Sequence, residues 1–576
     1  MMKARFYFLL SFLFSLTVVA SASGASRESD PPVEKLIRYY KSVSRGFISP
    51  SGDGSFVPGN DQDFFTIDVF GWNRFHGSID FIEGKRSFYK SLDFEVKKQF
   101  HKPPYYFHSS WGTLFHPPIK KLTLPIQEYV AQFGGLDLSQ SQSKYFDPSF
   151  QAYLDKISQT ELTAGNELEL LPNGRSFQEK LRLVRDSKRY FFGTVMVYFC
   201  DESTRLLMDE MIRARKRGVD VRIMVEGLYA STAAKSCMNR MRDGGIDAVL
   251  VSDFYKTGSL FGVMHHKFWI RDGEEAIIGG QNMHEFSNRS SGFNFRTRDT
   301  DVHIKRGPIV SDLMCGYLRL WSKYSRARNQ PIQKYRYELN RKLIEERSQG
   351  FRGKQLYPQW LSNSETRARG VCRVLVQSAG AQSEAIAPVV AEYMKAAQEH
   401  ILLTTPSLDY DGKFKGKMHW EDAMAWLLKL RADKGVRVDV ISNGLTGGMG
   451  DATTFLRKIE LGLEAQDLTK LSKFIKDFNL LISKGAAKSK RENLLDLASR
   501  SPRIRTWTYF NHIHAKQYFF DRIAVMVGSF NFDRNSTEKN HESALFCLDQ
   551  NLRDQMEAQF ALDLVNSVPV VSKNGQ

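Results

Sequence analysis

No Cys-x-x-Cys pair occurs in the 576 residues, and the five cysteines, Cys200, Cys237, Cys315, Cys372 and Cys547, are scattered through apolar runs. A thiolate zinc site is therefore not expected, and most of the five read as small core residues, with room for one bridge. HExxH, EF-hand and P-loop patterns are also missing, so no metal and no cofactor is expected. There is one long apolar run, at the N-terminus, and the mean hydropathy is −0.38, which excludes a multi-span membrane protein. Acidic residues are outnumbered, 64 against 81 Lys+Arg, for a formal charge of +17. That excess points to anionic partners: nucleic acid, acidic lipid surfaces or phosphate-bearing substrates. Hydrophobic residues at 42% and charged residues at 25% exclude a disordered or fibrous chain. The length predicts three or four domains, or two large ones with additions.

The apolar run begins the chain as MMKARFYFLLSFLFSLTVVASASGAS. Lys3 and Arg5 precede an apolar stretch over 6–19, and Ala20, Ser21 and Ala22 form a small-residue cleavage signature. This is the layout of a signal peptide over 1–22, which predicts export to the periplasm or medium, with peripheral membrane association. Residues 23–164 resemble no later part of the chain and read as an N-terminal extension. Within it, HKPPYYFHSSWGTLFHPP (101–118) reads as a proline-rich surface loop pinned by buried rings, in preference to an interfacial cover.

Beyond the extension, two segments repeat one order of elements. In the first, Ser176 and Glu179 fit a capping box ahead of a helix bearing Phe177, Leu181 and Val184. TVMVYFC (194–200) reads as a strand, and a helix through Leu207, Met211 and Ala214 stops at Gly218 before the alternating strand VDVRIMV. The second copy gives EAIAPVVAEYMKAAQ, HILLTTP, DAMAWLLKLRADK, Gly435 and VRVDVIS. ARKRGVDVRIMVEG and LRADKGVRVDVISNG are one unit twice, and helix alternating with strand implies α/β layers. The predicted domains are 165–330 and 372–570, joined by a basic, helix-prone connector over 331–371, with a helical insertion over about 447–501.

Each copy then delivers the same signature, HHKFWIRDGEEAIIGGQN and HAKQYFFDRIAVMVGSFN. The shared positions are His265, Lys267, Asp272, Gly279, Gly280 and Asn282, and His514, Lys516, Asp521, Gly528, Ser529 and Asn531. Strands are expected over 263–270 and 515–520, where residues two apart share a face, so each His sits beside its Lys and His266 points away. Asp272 and Asp521 fall where the chain turns back and brace that turn. The small residues Gly280 and Ser529 are expected to let backbone approach a bound group. Two His, two Lys and two Asn in one pocket suit a phosphodiester. One imidazole attacks phosphorus, the other donates to the leaving oxygen, and lysines and asparagines hold the phosphate oxygens. His512, two before His514, reads as a second-sphere or surface histidine, and His266, His284, His303 and His541 need no catalytic role.

These blocks, with GNELELLPNG and GSFNFDRNSTEKNHESAL, resemble the phospholipase D superfamily, and within it the two-motif bacterial cardiolipin synthases and related phosphatidyltransferases, over 165–549. The resemblance implies a pseudo-twofold pair of α/β sandwich domains sharing one active site. It implies that His265 is the nucleophile and His514 the general acid/base. It also implies a carboxylate downstream of each motif that orients an imidazole through Nδ1. Glu542 in NHES fills that place for one motif; for the other, DTDVHIKRGP holds one residue more than the family pattern, leaving Asp299 first and Asp301 next.

Three functions follow from this. The first is a phospholipid phosphodiesterase or phosphatidyltransferase working at a membrane surface, monomeric because both motifs lie in one chain. The second is an exported metal-independent nuclease, served by the basic charge. The third is a non-catalytic binding protein. Export without a retained anchor favours a secreted phospholipase D-like enzyme over a synthase.

Overall fold

The computed structural model describes residues 143–227, 232–251, 263–288, 297–325, 332–363, 370–378, 386–410, 419–443, 486–509, 512–565 and 567–570. The predicted signal peptide, the 101–118 segment and most of the predicted insertion lie outside these residues.

The first repeat forms β1 (Glu167–Pro172), α1 (Gly174–Asp186), β2 (Tyr190–Val195), α2 (Glu202–Lys216), β3 (Asp220–Glu226), α3 (Thr232–Asp243), β4 (Asp247–Val251), β5 (Phe268–Arg271), β6 (Glu275–Gly279), β7 (Thr297–Arg298), β8 (Thr300–Arg306) and α4 (Ile309–Tyr324). The second forms β9 (Cys372–Gln377), α5 (Ile386–Ala396), β10 (His400–Thr404), α6 (Trp420–Asp433), β11 (Arg437–Ser442), α7 (Ala486–Ser499), β12 (Ile504–Tyr509), β13 (His512–Ile513), β14 (Gln517–Phe520), β15 (Ala524–Gly528), β16 (Glu542–Cys547), α8 (Gln550–Val565) and β17 (Ser567–Pro569). The sheets run β1-β8-β6-β5-β2-β3-β4 and β9-β16-β15-β14-β10-β11-β12-β17. Strand for strand the two orders correspond, with β17 added at one edge. In each, three parallel strands continue into antiparallel ones. The central parallel strands β2, β3, β10 and β11 are buried on both faces because helices cover one side and the other half of the molecule the other.

Three cores follow. One lies under the outer helices of the first half, one under those of the second, and the third joins the inner faces of both sheets with α4 and α8. Gly218 and Gly435 end equivalent helices at φ +94° and +99°, where a Cβ would be strained.

Several expectations change here. Ser176 is no cap: it lies inside α1, its hydroxyl donates to Asp301, and Glu179 pairs with Arg182 and His303. The strand expected at 194–200 is β2, because the amides of Lys188, Arg189 and Tyr190 are gathered by Asp272 and fix its start, while Asp201 already caps α2. The strands expected at 263–270 and 515–520 begin at Phe268 and Gln517, since the His-x-Lys stretches ahead of them bond to the opposite half. The connector is part of the body: its helices over Gln333–Ser348 and Tyr357–Ser362 bury Tyr335, Tyr357 and Trp360. Of the extension, a helix over Pro148–Ser158 packs on the second half, where Asp155 pairs with buried Arg373 at 2.9 Å. Four of the five cysteines form two disulfides, Cys200–Cys237 and Cys372–Cys547. The second links register partners on neighbouring strands β9 and β16.

Candidate active site

The two motifs meet across the pseudo-twofold axis. His265 N–H donates to the His541 carbonyl at 2.9 Å, and His514 N–H donates to the Arg298 carbonyl at 2.7 Å. The residue after each acceptor is a carboxylate that takes the same imidazole. His265 Nδ1 lies 2.8 Å from Glu542 Oε2, and His514 Nδ1 lies 2.7 Å from Asp299 Oδ2. Each histidine is therefore oriented by the carboxylate of the other half. Asp299, and not Asp301, is the pseudo-equivalent of Glu542. Asp301 faces a separate network, accepting from Lys180 Nζ at 2.8 Å and Gln281 N–H at 3.0 Å.

Both lysines are buried. Lys267 Nζ donates to the His265 carbonyl at 2.8 Å; Lys516 Nζ donates to the His514 carbonyl and lies 3.0 Å from Nδ1 of the same ring. Burial, helped by the charge of Lys516, lowers the Lys267 ammonium to about 7, and burial lowers Lys516 to about 8. Burial and the two lysine charges hold His265 well below the usual imidazole range. Burial and then Lys516 lower His514 to about 3, against the pull of Asp299. Both imidazoles are thus neutral near pH 7, with Nδ1–H turned to a carboxylate and Nε2 carrying a lone pair.

The carboxylates differ. Burial pushes Glu542 up to about 7, although Lys267 and hydrogen bonds from Ser529, Ser536 (2.6 Å) and Asn540 (3.2 Å) pull the other way. Burial acts on Asp299 too, but the charges of His514 and Lys516 outweigh it and keep the carboxyl below its ordinary value.

The motif aspartates brace the turns. Asp272 collects the amides of Lys188, Arg189 and Tyr190, and Asp521 those of Gln398, Glu399 and His400, all at 2.7–2.9 Å. Asp272 and Gly273, and Asp521 and Arg522, all stand at positive φ, as a tight hairpin demands. Gly280 and Ser529 make room for carboxylates, where room for a bound group was expected. A Cβ on Gly280 would stand 2.4 Å from Asp299 Oδ1, and the Ser529 hydroxyl donates to Glu542. Asn282 Oδ1 accepts from Val197 N–H at 3.3 Å, while Oδ1 of half-buried Asn531 is itself shielded and has no partner among the described residues. His512 is buried, its ring 6.1 Å from that of His514.

Sequence reasoning missed the groups that aim each motif. Glu226 Oε2 accepts the N–H of Met264 at 2.5 Å, and Asn443 Oδ1 accepts that of Ile513 at 2.8 Å. These are the residues just before His265 and His514. The repeated blocks carried the signal, because Glu226 and Asn443 occupy the same place in VEG and SNG. Among the described residues, Glu179, Glu275 and His303 could together hold a metal ion, but Arg182 already bridges both carboxylates, and the group lies at the far end of β6 from Gly280.

A pseudo-twofold pair of α/β halves, with two His-x-Lys histidines each held by a carboxylate from across the axis, defines the phospholipase D superfamily. A family profile described as cardiolipin synthase, PLD-like domain, matches residues 185–321 and 390–564, more than half of the chain, and the chain belongs to that family. Cardiolipin synthase 1 of Bacillus cereus is 27% identical over 41% of this chain and 44% of its own. Cardiolipin synthase of Clostridium perfringens is 22% identical over 70% of this chain and 71% of its own. The chain spans about half the length of the first of these relatives. Among solved structures, phosphatidylserine synthase of Haemophilus influenzae aligns over 73% of this chain and 91% of its own at 13% identity and a TM-score of 0.48.

Proposed function

We propose that the chain is an exported phosphodiesterase or phosphatidyltransferase that acts on phospholipid head-group phosphodiesters through a covalent phosphohistidine. The observation that carries this is the pair of imidazoles, His265 buried and His514 partly buried, each with Nδ1 on a carboxylate, beside two buried lysines. Among the described residues neither lysine is in a close ion pair, although Glu542 and Asp299 favour their charge, and a phosphodiester supplies a direct counterion. Its negative charge offsets theirs and raises both imidazoles, so that His514 can carry the acid proton.

His265 Nε2 then attacks phosphorus. The bond to the leaving oxygen breaks, and the proton on His514 Nε2 passes to that oxygen. Water or an alcohol next gives its proton back to His514 and attacks phosphorus, which releases His265. Glu542 and Asp299 stabilise the imidazolium character that develops in each ring. Lys267 and Lys516, with the amide of Asn282, hold the equatorial oxygens as charge builds. No step calls for a metal.

The lipid reading draws on relatives named as cardiolipin synthases. Export draws on the N-terminal pattern and on two disulfides, which persist in oxidising compartments. Among the described residues no helix is long and apolar enough to cross a membrane. With both motifs in one chain, a monomer is complete.

The test is to offer the purified protein, with EDTA, vesicles of phosphatidylglycerol or phosphatidylethanolamine beside DNA. Head-group release or cardiolipin formation is expected. Cleaved DNA with untouched lipid would replace this reading with the nuclease.

A further inference from the structure

The carbonyls that receive the two histidine amides belong to His541 and Arg298, and the side chains of these residues are themselves tied down. His541 Nε2 lies 2.7 Å from the hydroxyl of Tyr324, the last residue of α4. Arg298 Nε lies 2.7 Å from Oδ1 of Asp563 near the end of α8, and both side chains are 1% exposed. The helices α4 and α8 are counterparts, each following the last inner strand of its half. Each tie therefore leaves a helix of one half, crosses to a residue of the other, and returns to a histidine of the first. One runs from α4 through Tyr324 and His541 to His265; the other runs from α8 through Asp563 and Arg298 to His514.

We propose that Tyr324–His541 and Asp563–Arg298 are two separate pairs of positioning residues, the first setting the place of His265 and the second that of His514. His541 and Arg298 are each followed at once by the carboxylate that orients the same ring. A shift of either residue therefore moves the backbone acceptor and the carboxylate of one histidine together, and leaves the other histidine in place. The pairs differ in kind. Tyr324–His541 is a hydrogen bond at the edge of the core, under the Lys323 ammonium 4.9 Å from the tyrosine ring. Asp563–Arg298 is a buried ion pair steadied by Gln559 at 3.1 Å and by Arg298 Nη1 on Thr300. With a leaving group that needs no acid, His265 serves the attack and His514 the hydrolysis, so damage to the pairs should then divide between the two chemical steps.

This rests on the covalent reading above, so the experiment separates the two. The full chain is reacted with bis(4-nitrophenyl) phosphate, whose 4-nitrophenolate leaves without an acid. The fraction of enzyme carrying the aryl phosphate is read by intact mass in the steady state. Tyr324→Phe should lower kcat about tenfold, with the adduct fraction falling and KM rising towards the substrate dissociation constant because His265 attacks more slowly. Asp563→Asn should lower kcat by a similar factor with the adduct rising, because His514 activates water poorly; Asp563→Glu should restore part of the rate. If both variants lose activity in step with Tm and leave the adduct fraction unchanged, or if neither affects kcat, the proposal is overturned. His514→Ala tests the chemistry separately: an adduct on it sustains the covalent reading whatever the other variants do, and its absence overturns that reading together with the division of steps.

Discussion

His265 and His514 stand in equivalent cradles, yet the carboxylates behind them are not equivalent. Glu542 sits in a nest of neutral donors, Ser529, Ser536 and Asn540, and burial lifts it to about 7. Asp299 has Gly280 where Glu542 has Ser529, and it is held well ionised by His514 and Lys516. A fully ionised partner favours a ring that must carry a proton; a partner near its titration point favours a ring that must stay neutral and attack. The difference gives the proposed division of labour, His514 as acid/base and His265 as nucleophile, an electrostatic asymmetry that the variants below test.

Removing either ring should break the comparison most completely. His265→Ala and His514→Ala should each lower kcat by about a thousandfold or more, as loss of a nucleophile or its proton partner does. Substantial turnover by either would refute the division of labour. Lys267→Met and Lys516→Met come next, each losing about a hundredfold in kcat/KM as one donor to the developing charge disappears; steady-state kinetics on phosphatidylglycerol vesicles would check this.

Stability offers a contrast between the halves. The Cys372–Cys547 disulfide closes a loop of sequence separation 175, and the Cys200–Cys237 disulfide one of 37. Chain entropy gives the first up to about 5 kcal/mol and makes it the stronger clamp. Denaturant unfolding of Cys372→Ser should therefore show a larger loss than that of Cys200→Ser. Asp272→Ala and Asp521→Ala each strand three backbone amides and should each lose about 2–4 kcal/mol, equal in the two halves because the turns are equivalent.

The pH dependence is the finest test. In the free enzyme kcat/KM should fall below about pH 7 as Glu542 takes a proton. It should fall again above pH 7 to 8 as Lys267 and Lys516 lose theirs and release the phosphate. The optimum is then narrow. Ser529→Ala deletes a donor that favours the Glu542 carboxylate, so it raises that group further and moves the acid limb to higher pH. A limb that stays in place would place the titration elsewhere than on Glu542.

Much of this was legible in the chain. The doubled motif predicted the paired rings, and the repeated helix–strand blocks predicted two matching sheets. The turn at Asp272 was legible because Asp-Gly tolerates positive φ; its reach to three amides was not, since those amides sit more than eighty residues earlier. Asp299 and Asp301 could not be told apart by spacing. Asp301 lies in β8 opposite Gly279 and turns to Lys180, while Asp299 stands ahead of the strand where the second half can reach it. Cys372 and Cys547 are neighbours only through the pairing of β9 with β16, which no local pattern encodes. The helices over 333–362 read as a connector because their charged faces dominate the composition, whereas three buried rings decide where they pack.

The central claim, that two histidines with the same cradle perform different steps, is tested most directly by reacting His514→Ala with phosphatidylglycerol vesicles and mapping added mass by peptide. The account predicts a phosphatidyl adduct on the peptide containing His265, and none in His265→Ala. An adduct on His514 in His265→Ala, with none in His514→Ala, would contradict it.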